Sequence, residues 1–203
     1  MKEKEGAPKI GMAKGRIEAL NDGVFAIAMT LLILNIKPPT GKQSLSAIQD
    51  FFINSLSQFF DYGLSFLLLA FFWTAQHRQF HWVRRVDDRL LWLNMLLLLF
   101  IAVVPLSTAL YGDHKSLWPT ALFINLNLFI VLLILYGMWA YASSHKELLS
   151  PDLSEEHRVF TKRPTLGLIP LLSIIAIVLS FIIPSWSTVP YIFVPFIMTR
   201  KLN

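Results

Sequence analysis

Arg16 to Lys37, RIEALNDGVFAIAMTLLILNIK, opens on charge and polarity and then turns apolar. Arg16, Glu18, Asn21 and Asp22 crowd its first turn and a half; from Gly23 to Leu34 only Thr30 breaks the apolar run. About 20 residues of helix rise roughly 30 Å, the thickness of one bilayer core. Ile27, Leu31 and Leu34 stand at i, i+4 and i+7, on one helix face, with Thr30 one turn after Ile27. Such a stripe serves lipid contact and helix packing as readily as anything more specialised. The polar head says more. Glu18 and Asp22 suit the positive end of a helix macrodipole. Ionisable groups at membrane depth are nevertheless expensive and usually paired, which makes this head a candidate site.

Working outward, the composition agrees with a membrane protein. Hydrophobic residues are 55% of the 203 and charged ones 15%, where a soluble domain carries about a quarter. The reading is an all-α, multi-pass membrane protein. Cysteine is absent, so neither a disulfide nor a thiolate metal site is available. The N-terminal MKEKEGAPKIGMAKG lacks the short apolar core and small-residue cleavage site of a signal peptide. It reads as a cytoplasmic tail over residues 1–15, followed by a membrane domain over 16–200 and a cytoplasmic C-terminus at 201–203.

Pro38-Pro39 ends the first helix, because proline cannot continue the hydrogen-bond ladder. A second apolar segment runs from about Phe51 to Phe80, with Asn54, Gln58 and Asp61 on its early half and Trp73, His77, His81 and Trp82 at its far end. His77 and His81 are spaced for a shared metal, but a zincin needs Glu where Arg78 stands. Interfacial anchoring is the simpler reading, and no metal is assigned. Asp87 and Asp88 read as a loop and helix-start feature. Third and fourth helices are expected over about 90–110 and 119–141, with Asn94, Asn125 and Asn127 inside them. A buried Asn in such a helix usually bonds a neighbouring helix. The polar stretch 143–164 contains SEEHRVF, a candidate interfacial helix. A fifth helix is expected over 165–183, and a short, proline-interrupted sixth over 185–199.

Basic residues sort by side. With six helices, 15 of the 18 Lys and Arg fall on one side, and only Lys37, Lys42 and Lys115 on the other. The rich side is cytoplasmic by the positive-inside rule, which places both termini there. The net charge of +5 is therefore a topology signal, and no nucleic-acid partner is read from it. The bilayer of the cell (plasma) membrane is the expected setting.

The head also carries a resemblance. Arg-x-x-x-Phe-Ser-Asp, then a small residue and an apolar helix, is the signature of the transmembrane protein 175 family of potassium channels. Here Arg16 and Asp22 match, Leu20 replaces the Phe and Asn21 replaces the Ser. The resemblance implies a six-helix chain in a homo-oligomer, a tetramer, whose first helices line the pore. It implies an apolar constriction in place of a carbonyl filter, mapped by distance from Asp22 to Ile27, with Leu31 and Leu34 stacked outward. Thr30 hydroxyls beside Ile27 would offer oxygens to a partly dehydrated cation. His77, with Trp73, is expected to hydrogen-bond the Arg16/Asp22 head, and Arg16, Asn21, Asp22, Trp73 and His77 to support the pore helix. Permeant potassium is the only ligand implied, with no cofactor.

No enzyme motif stands out, and Tyr-Gly pairs at 62, 111 and 136 lack the TVGYG context of ordinary potassium filters. Beside the channel stand a proton-permeable pore, a proton-coupled transporter using Asp22, Asp61 and His77, and a non-conducting membrane scaffold. No inverted repeat supports the transporter.

Overall fold

A computed structural model describes residues 14–41, 44–153 and 165–194, with side chains from residue 170 onward in the last stretch. Five α-helices run through them: α1 (Lys14–Leu31), α2 (Leu45–Trp82), α3 (Asp88–Asp113), α4 (Trp118–Ser144) and α5 (Thr165–Ile182). Among the described residues, four stretches are long and apolar enough to cross a membrane: Lys14–Asn35, which is α1 with the 3₁₀ turn after it, then α2, α3 and α4. Pro170–Ile182 within α5 is a shorter apolar helix.

Local chemistry sets the boundaries. The hydroxyl of Ser44 accepts the Ala47 N–H at 3.2 Å, so α2 starts at Leu45, well before the expected Phe51. Asp87 is the helix-start feature anticipated, accepting the Leu90 N–H at 2.9 Å. Pro119 sits in the first turn of α4, where its missing N–H leaves no gap. After α5 the chain makes two 3₁₀ turns, Pro184–Trp186 and Val189–Ile192. These fall at the start of the expected irregular sixth helix. The rest of that helix and the SEEHRVF segment lie outside the described residues.

α3 packs against α4 on one side and α1 on the other, and α4 packs against α5. Leu97, Ile101 and Val104 of α3 and Val131 of α4 are fully buried. Lipid tails are as apolar as these side chains, so association rests on close packing and interhelical hydrogen bonds. Asn125 is one such bond: its amide donates to the Ala176 carbonyl at 3.2 Å, Ser180 Oγ at 2.8 Å and Ser187 Oγ at 3.0 Å. Thr108 donates to Ser65 at 3.0 Å. In the turn between α3 and α4, Lys115 pairs with the buried Asp61 of α2 and donates to Ser57 Oγ.

Candidate functional site

α1 has two faces of opposite fate. Ile17, Asn21, Phe25 and Ala28 are buried, and Leu32 continues that line. Against them, Leu20, Ile27, Leu31 and Leu34 are 41%, 60%, 42% and 67% exposed, and Thr30 is exposed with them. The stripe read from the sequence therefore points away from the body of its own chain.

The buried face is fastened at its head by polar bonds to two helices. Asn94 of α3 donates its amide to Asn21 Oδ1 at 2.8 Å, and Gln76 of α2 donates to Asn94 Oδ1 at 3.4 Å. All three are at most 2% exposed. Beside this relay, Trp73 Nε1 donates to Asp22 Oδ1 at 2.8 Å. His77 reaches the head through the Trp73 ring, stacked on it at 5.4 Å between centroids. Of the pair expected to bond the head, Trp73 makes the hydrogen bond to Asp22, and His77, one turn later in α2, stacks on its ring. Arg16 is exposed. His81 stands edge-on to Trp82 at 5.1 Å, so the two histidines engage different tryptophans.

Among the described residues, the C-terminal end of this span is tied to another helix by one side-chain hydrogen bond. After Leu31 the backbone tightens into a 3₁₀ turn, Leu32–Asn35, and Asn35 donates to the Pro105 carbonyl at 3.1 Å. In 3₁₀ geometry residues i and i+3 eclipse, so Leu34 stands over Leu31 along the axis. Thr30 donates its hydroxyl to the carbonyls of Ala26 and Ile27 at 3.0 and 2.9 Å. Its proton is held by its own helix, which leaves the hydroxyl oxygen only as an acceptor.

Sequence reasoning marked Asn21, Asp22, Trp73 and His77, and the structure brings them together. It missed Gln76, and recorded Asn94 only as a polar residue inside a helix. Three polar residues at helical depth, in three different helices, were the available signal.

Comparison with known proteins follows the same residues. The family model "Endosomal/lysosomal potassium channel TMEM175" matches residues 16–105, which contain the whole head and stripe. A relative named a potassium channel in Streptomyces collinus is 40% identical over 100 residues, 49% of this chain and 48% of that one; the match thus spans about half the length of that protein. Another named a potassium channel, in Chamaesiphon minutus, is 33% identical over 89% of this chain and 90% of its own. The mouse endosomal/lysosomal proton channel TMEM175 is 30% identical over 87% of this chain and 38% of that one. The crystal structure of a lysosomal potassium-selective channel TMEM175 homolog from Chamaesiphon minutus superposes with a TM-score of 0.78, at 29% identity, over 92% of this chain and 97% of that one. With the head, the two-faced first helix and near full-length similarity in both sequence and fold, the chain belongs to the TMEM175 family of ion channels.

Proposed function

We propose that this chain forms a potassium-selective cation channel, a homotetramer of six-helix subunits with both termini cytoplasmic, in the cell membrane. The pore is lined by the outward face of α1. Ile27 forms the constriction, with Leu31 and Leu34 stacked outward of it, and four copies of each make apolar rings. Water in a narrow apolar neck is unstable, so such rings gate by dewetting. The acceptor oxygens of Thr30 serve the partly dehydrated potassium ion beside Ile27. Arg16, Asn21, Asp22, Trp73 and His77 support the pore helix and bind no ion.

One observation carries the reading: α1 commits one face to its own chain and leaves Ile27, Thr30, Leu31 and Leu34 unburied. The test is potassium flux into liposomes holding the purified protein, with sodium as control and Ile27→Asn for comparison. Potassium flux above sodium, with the preference lost in Ile27→Asn, supports the channel and its neck. No flux above empty liposomes, with the protein folded and oligomeric, returns the reading to transporter or scaffold.

A proton-permeable pore is the second reading, favoured by the name of the mouse relative. A neck too narrow for hydrated ions still passes protons along water. Reversal potentials that follow an imposed pH gradient rather than a potassium gradient would select it.

A further inference from the structure

We propose that the loop joining α2 to α3, with Arg84 and Arg85 at its centre and Arg78 and Arg89 on its flanks, binds the phosphate of an anionic glycerophospholipid headgroup. All four arginines are exposed. Among the described residues their guanidinium groups have no carboxylate at ion-pair distance; the ion pairs are Lys14–Glu18 and Lys115–Asp61. Over residues 78–89, four arginines stand with two carboxylates, Asp87 and Asp88. Asp87 is engaged by the Leu90 N–H and the Tyr141 hydroxyl, and Asp88 is exposed, which leaves an excess of positive charge.

Sorting of positive charge to one side requires the residues alone; it does not require a fixed backbone. Here the backbone is fixed. The N–H groups of Arg84 and Arg85 both donate to the Leu148 carbonyl, at 2.7 and 3.2 Å, and Ser150 N–H donates to the Trp82 carbonyl at 2.9 Å. Val83 and Leu149 pair as an isolated antiparallel β-bridge. A loop already held in place loses less entropy when it binds, and neighbouring guanidiniums suit the oxygens of a phosphate. The depth agrees. Five residues link two spanning helices, so the loop lies at the bilayer boundary. Trp92, 74% exposed, shares the α3 face of Arg89 one turn deeper, at the level tryptophan prefers. The loop also ends the helix whose Trp73 donates to Asp22 of α1 and whose Gln76 donates to Asn94, the partner of Asn21, so lipid bound here stabilises an element that grips the first helix.

The test is thermal unfolding of the purified full chain in uncharged detergent, titrated with phosphatidylglycerol, phosphatidylcholine or inorganic phosphate. Phosphatidylglycerol is expected to raise Tm saturably, and the other two to leave it unmoved at the same concentrations. Arg84→Gln/Arg85→Gln is expected to raise the half-saturating phosphatidylglycerol concentration on the order of tenfold, while Lys37→Gln, at the opposite end, leaves it unchanged. If the double variant fails to fold, the single variants read the same quantity, each with a shift of about threefold. Equal responses to the two lipids, or an unaltered titration in the arginine variants, overturn the proposal. A response to inorganic phosphate matching that to phosphatidylglycerol overturns its assignment to lipid.

Discussion

The polar head of α1 and the proposed neck, Ile27 to Leu34 across the end of α1 and the 3₁₀ turn after it, follow one another along the chain, and opposite physics acts on them. At the head, Asn21 is buried and bonded to Asn94, and Asp22 accepts the Trp73 indole. At the neck, Ile27 and Leu34 stand free of their own chain, and Thr30 bonds only its own helix. The head holds the helix in place, and the neck is what the held helix presents. In the proposed channel, fold and function are thus separated by helix face along the first span. Substitutions at the head should change stability, and substitutions at the neck should change permeation.

The largest break is expected from Asn94→Leu. It leaves the Asn21 carbonyl oxygen and the Gln76 amide buried without partners, at a cost of about 2 kcal/mol. Thermal unfolding should show a Tm several degrees lower, and an unchanged Tm would mean that the relay does not hold α1. Trp73→Phe is milder. It keeps a ring against His77 but removes the donor to Asp22, for a loss of about 1 kcal/mol by the same measurement. Tyr in place of Trp73 should not restore it, because its hydroxyl projects from a different point of the ring.

The neck sharpens the contrast from the other side. Ile27→Asn, at a position 60% exposed in the single chain, should leave the Tm near that of the parent, yet raise cation flux and bring the potassium-to-sodium ratio toward unity in liposomes. A variant that instead failed to assemble would show that the neck also holds the oligomer together. The smallest expected effect on stability is Thr30→Ala, which loses only bonds within its own turn. If the Thr30 oxygen assists potassium, the same variant lowers the potassium-to-sodium ratio with Tm unmoved. A ratio equal to that of the parent removes Thr30 from the selectivity argument.

Much of α1 was legible because its signals are local. The apolar run gave the helix, the i, i+4, i+7 stripe gave a shared face whose outward direction came only from the family resemblance, and the crowd of polar residues marked the head. What was not legible depends on distant partners. Asn94 follows Asn21 by 73 residues, and nothing in either neighbourhood says which helix faces which. The Asp61–Lys115 pair was missed for the same reason: Lys115 registered only as a charge on the outer side. The early start of α2 was missed for a different reason. Ser44 is a sound helix cap, but the segment was read from its first aromatic residues, Phe51 and Phe52, rather than from its cap.

The long reach of the head bonds has a consequence for how the protein is made. α1 is synthesised first, and its partners follow, Trp73 after 51 residues and Asn94 after 73. At roughly 5–20 residues per second the wait is about 3–15 seconds. During it Asn21 and Asp22 have none of the partners they hold in the finished fold. They are the eighth and ninth residues of the 18-residue α1, about two turns from its start, and an unpartnered polar group in hydrocarbon is costly. Settling of α1 at its final depth is therefore expected to wait for α2 and α3, which couples the docking of the three helices to their insertion.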